Sequence, residues 1–134
     1  MSDNVNDSDT SSGITVLYIE DNPANIKLMQ DIFEEFLSYK LHCATNAEEG
    51  IEWAKQTIPH LMLMDINMSG MNGYQALEII KNDVAIAAIP VIAISADAMP
   101  HQIEEGLAKG FADYWPKPFN IVELVGSLKK RLDP

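Results

Sequence analysis

Three carboxylates stand directly after two apolar segments of the chain. Glu20 and Asp21 follow Thr15–Ile19, and Asp65 follows Leu61–Met64. Acids crowded into one crevice repel each other, and a hard divalent cation such as Mg²⁺ relieves that repulsion through oxygen ligands. If the fold joins them, the three acids therefore favour a Mg²⁺ site over a general acid/base pair. The alternative is three separate, solvated loop carboxylates, with Asp65 only capping its loop.

A hydroxyl and an ammonium follow two further apolar segments. Ser95 ends the segment 90–95, and Lys117 comes soon after the segment 112–115. With Mg²⁺, they could surround a phosphoryl group, Lys117 acting as a point charge and Ser95 as a hydrogen-bond donor. Two plainer interpretations stay open, because Ser95 could cap the next segment and Lys117 could simply pair with Asp21.

Apolar segments of strand length alternate with amphipathic segments of helix length. The predicted strands are Thr15–Ile19, Lys40–Ala44, Leu61–Met64, 90–95 and 112–115. Because parallel strands need crossovers, this alternation predicts an α/β fold with five parallel strands and five helices on both faces of the sheet. The simplest doubly wound order is 2-1-3-4-5, which makes strands one and three neighbours at the switch point. The acids would then meet at the carboxyl edge of the sheet.

Helix starts are marked by Asn or Pro before several of the amphipathic segments. Asn22-Pro23 and Pro100 are typical first-turn residues, and Asn46 with Glu49 resembles a capping box. Gly110 should end the fourth helix. The apolar positions expected to face inward are Ile26, Met29, Phe33, Phe36, Ala47, Ile51, Ala54, Leu77, Ile80, Ile103, Leu107, Ile121, Leu124, Val125 and Leu128.

Composition limits the function classes. The chain has 134 residues, 47% hydrophobic and 22% charged, with a net charge of −11. One domain over residues 14–134 is expected, preceded by a disordered acidic tail over residues 1–13. The negative charge argues against binding of nucleic acid or an anionic membrane surface, and the sequence lacks an apolar run of about 18 residues. A single cysteine, Cys43, favours a reducing cytoplasm.

The chain resembles a response-regulator receiver domain of two-component signalling, a flavodoxin-like fold. The resemblance covers Ile14 to about Leu132 and is closest to receivers that work with hybrid histidine kinases. Any one motif is weak, whereas the set in this order and spacing is specific. The matching residues are Glu20, Asp21, Asp65, Ser95, Ala96, Lys117, Pro118 and Phe119.

The resemblance implies a role for each matching residue. Asp65 would accept a phosphoryl group from a histidine kinase or a histidine phosphotransfer protein. Ser95 and Lys117 would contact phosphoryl oxygens, and Tyr114 would turn inward on activation. The implied Mg²⁺ ligands are Glu20 through water, Asp21, Asp65 and the main-chain carbonyl of Asn67.

The resemblance also implies a limited catalytic activity and a surface that binds a downstream protein. The chain would catalyse only its own phosphorylation and dephosphorylation, with Asn67 and Asp97 tuning the lifetime of the phosphate. It would bind a downstream protein through the surface of the fourth helix, fifth strand and fifth helix. The Met1 start and polar tail favour a stand-alone regulator.

The sequence departs from the family pattern in two places. Ser69 stands where the family often has proline, and it should leave that loop less rigid without touching a ligand. Trp115-Pro116 is bulkier and stiffer than usual before Lys117, which bears on how easily Tyr114 turns. The Lys117–Pro118 bond resembles the family's cis peptide.

Two functions from other classes remain as alternatives. A Mg²⁺-dependent phosphohydrolase that forms an aspartyl phosphate would need a second acid two residues after Asp65, where the chain has Asn67. A receiver-like module that binds proteins without phosphorylation would not need the complete set of polar residues. Nucleotide or flavin binding is weaker still, because the sequence contains neither G-x-G-x-x-G nor a P-loop.

Overall fold

The computed structural model describes residues 13–133, which form one parallel sheet with helices on both faces. The strands are β1 (Thr15–Ile19), β2 (Lys40–Ala44), β3 (Leu61–Asp65), β4 (Val91–Ser95) and β5 (Asp113–Pro116). All four strand pairings are parallel, and the order is β2-β1-β3-β4-β5. The predicted fold class and strand order are therefore confirmed.

Five helices connect the strands. They are α1 (Pro23–Phe36), α2 (Ala47–Thr57), α3 (Gly73–Lys81), α4 (Pro100–Lys109) and α5 (Ile121–Leu132). Asn22 caps α1, its side chain accepting from the amides of Ala24 and Asn25, and Pro23 occupies the first turn. Gly110 ends α4 with a φ of 121°, a backbone conformation that favours glycine.

The predicted capping box at α2 is only half formed. Asn46 accepts from the Glu49 amide at 2.8 Å, but the Glu49 carboxylate takes a weak 3.4 Å bond from the Thr45 hydroxyl. The reciprocal pair occurs at α3 instead, between Asn72 and Gln75.

The central strands are buried on both faces. Every residue of β3 and β4 is buried, because helices cover the two sides of the sheet. One core cluster includes Leu17, Met62 and Leu77, and a second on the opposite face includes Tyr18, Leu63 and Leu124. Helices on both sides therefore hold in place the two strands that end at Asp65 and Ser95.

Three predicted inward positions are wrong. Phe36, Leu107 and Ile121 are 49%, 44% and 40% exposed, whereas Ile32, which was not predicted, is buried. Each misplaced residue lies in the first or last turn of its helix. A 3.6-residue period gives the direction of the apolar stripe but not how far the sheet extends beneath it.

The structure adds one observation on Cys43 and one on the helices. Burial raises the pKa of the Cys43 thiol to about 11, which suits an unreactive packing residue. Across residues 13–133, none of the helices combines the length and apolarity that crossing a membrane requires. The predicted acidic tail lies, except for Gly13, outside the described residues.

Candidate functional site

The strand order brings the polar strand ends to one edge of the sheet. Ile19 of β1 pairs with Met64 of β3, so Glu20 and Asp65 emerge side by side. Ser95 ends β4 and pairs with Pro116 of β5, one residue before Lys117. The cleft that results is lined by Glu20, Asp21, Asn22, Asn25, Asp65, Asn67, Ala96 and Lys117.

The three predicted acids meet in this cleft. One carboxylate oxygen from each of Glu20, Asp21 and Asp65 lies within 4.8 Å of the others. Glu20 is 1% and Asp65 4% exposed, whereas Asp21 lies at the exposed rim. Buried acids this close are the arrangement that a divalent cation with oxygen ligands would stabilise.

Among residues 13–133, one ammonium faces the two buried acids. Lys117 Nζ lies 2.9 Å from Glu20 Oε1 and 3.2 Å from Asp65 Oδ2. Burial alone lowers the pKa of this amine, but the hydrogen bonds and negative charge of Glu20 and Asp65 outweigh it and hold the pKa above its ordinary value. The sequence left open a pair with Asp21, and the structure pairs Lys117 with Glu20 and Asp65 instead.

The surroundings of Asp65 disfavour the charged form of its carboxyl. Burial, followed by the negative charge of Glu20, raises the pKa of its carboxyl above the usual range. The Asn67 amide, 3.1 Å from Oδ1, and the Lys117 ammonium act in the opposite direction but do not cancel the rise. The charged form of Asp65 is therefore kept at a cost in free energy.

Glu20 has two hydrogen-bond donors that the sequence reasoning missed. The Tyr18 hydroxyl donates to Oε1 at 2.8 Å, and the Asn22 amide donates to Oε2 at 3.2 Å. Burial, then the charge of Glu20, raises the pKa of Tyr18, so the phenol stays a donor. The signal was available, because residues two apart in a strand lie on the same face of the sheet.

Ser95 lies among donors at the end of β4. Its hydroxyl oxygen accepts from the Asp97 amide at 2.9 Å and, at the limit of a hydrogen bond, from the Asn67 side-chain amide at 3.5 Å. The side chain is buried at 1% exposure. The capping interpretation of Ser95 therefore also holds, since the hydroxyl closes the turn after β4.

Tyr114 lies inward beneath α4. Its hydroxyl donates to the Asp97 carbonyl at 2.9 Å, and its side chain is 7% exposed. The ring passes close to Gly106, where an added Cβ would lie 2.7 Å from Tyr114 Cδ2. The missing side chain of Gly106 makes room for the ring. The predicted cis bond between Lys117 and Pro118 is also present.

The expectation that Ser69 touches no ligand residue is wrong. Its backbone amide and its hydroxyl both donate to Asp21 Oδ2, at 3.2 and 3.1 Å. The loop after β3 thus contacts one of the predicted metal ligands on the loop after β1. Sequence reasoning could not find this contact, because it depends on how two loops distant in the chain approach each other.

Comparison with known proteins identifies the family. Residues 16–129 match the model of the response regulator receiver domain. The chain belongs to the response-regulator receiver domain family. Receiver domains are phosphoacceptor signalling domains rather than enzymes in the usual sense, and they interact with histidine kinases or phosphotransfer proteins.

Similar sequences include both hybrid kinases and small regulators. The chain is 39% identical over 105 residues to the signal transduction histidine-protein kinase BarA of Escherichia coli, which covers 78% of the chain but only 11% of BarA. It is 31% identical over 118 residues to the polar-differentiation response regulator DivK of Brucella anthropi, which covers 88% of the chain and 95% of DivK. The chain therefore spans about a tenth of the first relative and nearly all of the second.

Solved structures show the same fold. The receiver domain of a sensor histidine kinase from Pseudomonas aeruginosa, with a magnesium ion coordinated in its active site cleft, superposes with a TM-score of 0.80 at 26% identity. The match covers 91% of this chain and 99% of that one. The chemotaxis protein CheY4 of Vibrio cholerae also gives a TM-score of 0.80, at 21% identity, over 90% of this chain and 99% of CheY4, and this likeness bears on the fold alone.

Proposed function

We propose that Asp65 accepts a phosphoryl group from a phosphohistidine of a histidine kinase or a histidine phosphotransfer protein. The observation that carries the proposal is the Asp65 carboxylate at the end of the central strand, beside Glu20 and Asp21 and 3.2 Å from Lys117 Nζ. A nucleophile, acids for a cation and an ammonium for phosphoryl oxygens thus share one cleft. A cytoplasmic location stays a prediction.

The donor set of the cleft fits Mg²⁺. Glu20, Asp21 and Asp65 offer carboxylate oxygens within 4.8 Å of one another, and all are hard ligands. The proposed ligands are Asp21 and Asp65 directly, Asn67 through its main-chain carbonyl, and Glu20 through water. When bound, Mg²⁺ supplies positive charge that offsets negative charge on a transferring phosphoryl group.

Each residue of the cleft then has its own role in phosphoryl transfer. An oxygen of Asp65 forms the new O–P bond while the N–P bond of the donor breaks, its electron pair staying on the ring nitrogen. Lys117 has three N–H donors, of which Glu20 and Asp65 take two, so one remains for a phosphoryl oxygen. Ser95 donates its hydroxyl to another oxygen. Catalysis is therefore positioning plus electrostatics, and it serves only the domain's own phosphorylation and dephosphorylation.

We infer that Asp97 couples phosphorylation to Tyr114. Its amide donates to Ser95 Oγ and its carbonyl accepts from the Tyr114 hydroxyl, so both residues contact the same peptide segment. Movement of Ser95 toward a phosphoryl group would shift this segment and the ring. Changing the two-state population from 1:99 to 99:1 needs roughly 5.5 kcal/mol. A few charge-assisted hydrogen bonds of about 1.5–3 kcal/mol each are enough to supply it.

The proposed output surface is that of α4, β5 and α5. Two exposed apolar side chains support it, since Leu107 on α4 is 44% and Val122 on α5 is 82% exposed. A downstream protein that buries such side chains would respond to a shift of the Tyr114 ring. The lifetime of the phosphate would depend on Asn67 and Asp97, which flank the path of an attacking water.

The test is labelling by a small phosphodonor such as acetyl phosphate, with and without Mg²⁺. The wild-type chain should gain one phosphoryl group in Mg²⁺, measured by intact-protein mass spectrometry. Asp65→Asn should gain none, because the amide is not a nucleophile for phosphorus. Asp31→Asn, an exposed acid of α1 that pairs with Lys27, is the matched control and should label normally. Undiminished labelling of Asp65→Asn would defeat the assignment.

A further inference from the structure

Asp21 is the exposed member of the acid trio, and one residue holds its carboxylate. Ser69 gives two donors to the same oxygen, Oδ2, through its amide at 3.2 Å and its hydroxyl at 3.1 Å. Within residues 13–133, Asp21 Oδ1 takes no hydrogen bond from the protein. The two donors therefore fix the plane of the carboxylate while one oxygen stays available.

This contact matters because the other two acids are already fixed by burial. Glu20 is held by Tyr18 and Lys117, and Asp65 by Asn67 and Lys117. An exposed carboxylate without such contacts would rotate freely, and a cation would have to order it at a cost in side-chain entropy. Hydrogen-bonded groups behind a ligating carboxylate orient it, and their loss typically costs about 10–100-fold in metal affinity.

We propose that Ser69 is a positioning residue for Mg²⁺, acting through Asp21. The hydroxyl and amide of Ser69 hold Oδ2 so that the other oxygen of Asp21 is presented to the cation. The loop after β3 thereby contributes to the metal site beyond Asp65 and Asn67. This inference rests on the proposed Mg²⁺ site and specifies how one of its ligands is organised.

The experiment is a calorimetric titration of the metal-free chain with Mg²⁺ alone. Ser69→Ala removes the hydroxyl donor, and the dissociation constant should rise about tenfold. Ser69→Thr keeps the hydroxyl and should bind within about twofold of the wild type. Ser127→Ala, an exposed serine of α5 far along the chain, is the matched control and should leave the affinity unchanged.

Two further readouts separate positioning from a general structural effect. Without Mg²⁺, Ser69→Ala should unfold at the same urea concentration as the wild type. Its labelling rate by acetyl phosphate should equal the wild-type rate at saturating Mg²⁺, while the half-saturating Mg²⁺ concentration rises about tenfold. A maximal rate that falls without a change in half-saturation would overturn the proposal.

The outcomes distinguish this inference from the function on which it rests. A wild-type chain that binds Mg²⁺ and labels on Asp65, with equal or tighter Mg²⁺ binding in Ser69→Ala, overturns the role of Ser69 alone. Tighter binding would mean that the serine competes with the cation for Asp21. A wild-type chain that neither binds Mg²⁺ nor labels overturns both proposals.

Discussion

At the scale of single residues, the cleft contains more negative charge than its one ammonium offsets. Lys117 lies between Glu20 and Asp65, and Asp21 stands close by without a cationic partner among the described residues. Burial, followed by the negative charge of Glu20, raises the pKa of the Asp65 carboxyl. The proposed nucleophile is therefore a residue whose charged form the fold holds at a cost in free energy.

Asp65→Asn should stabilise the metal-free fold at pH 7. The folded-state pKa of Asp65 lies above its unfolded value near 3.8, so its ionisation weakens folding as the pH rises through the folded-state pKa. The amide removes that loss, and the difference from the wild type should shrink toward zero as the pH falls to the unfolded value. Urea denaturation in EDTA at several pH values measures it.

The same variant thus separates stability from function. Asp31→Asn, whose carboxylate forms only a surface pair with Lys27, should change the free energy of unfolding by about 0.5 kcal/mol or less. If Asp65→Asn were less stable than the wild type at neutral pH, its bond with Lys117 would outweigh burial and the repulsion from Glu20.

At the scale of elements, β5 and α4 together determine the position of Tyr114. The strand carries Tyr114 three residues before Lys117, and the helix leaves a gap at Gly106 for the ring. Any side chain at position 106 would meet Cδ2 and Cε2 of the tyrosine at 2.7 and 2.9 Å. The inward position of the ring therefore depends on a helix residue without a side chain.

Gly106→Ala and Gly126→Ala should have opposite effects on stability. At Gly106, the clash with Tyr114 should cost about 1–3 kcal/mol and weaken the hydrogen bond to the Asp97 carbonyl. At Gly126, where no atom lies within 4 Å of an added Cβ, alanine should stabilise α5 by about 0.5–1 kcal/mol. Chemical denaturation compares both, and near-ultraviolet circular dichroism reports the tyrosine environment. Equal stabilisation by both substitutions would contradict the packing argument.

Strand ends were more predictable than helix faces. The bounds of β1 and β2 agree with the sequence prediction, because short segments of strand length between turn residues are local signals. The acids and Lys117 followed from the strand order, since parallel strands place their carboxyl ends at one edge. The contacts of Ser69 with Asp21 and of Gly106 with Tyr114 were missed, because they depend on distances between elements that no local pattern encodes.

At the scale of the whole molecule, a net charge of −11 adds a diffuse repulsion to the local one. Any salt screens the diffuse part, whereas only a cation bound in the cleft relieves the local part. The two contributions can therefore be separated by comparing a divalent cation with a simple salt.

Mg²⁺ should raise the melting temperature beyond what ionic strength explains. At a concentration of about 100 times its dissociation constant, a ligand that binds only the folded state adds about 2.7 kcal/mol, on the order of 10 °C for a domain of this size. NaCl at equal ionic strength is the control, and EDTA should reverse the shift. Asp21→Asn should lose most of it. Equal shifts in NaCl and MgCl₂ would assign the whole effect to screening.

The hydrogen bonds of Ser95 limit what its hydroxyl can recognise. Within the part of the chain that the structure describes, both lone pairs of Oγ face N–H groups, those of Asp97 and Asn67, which leaves the hydroxyl hydrogen for a bound group. An oxyanion can accept a hydrogen bond from that hydroxyl, whereas a hydrogen-bond donor finds no free lone pair on Oγ. Under the proposed function, the end of β4 would therefore favour a bound group that accepts a hydrogen bond over one that donates one.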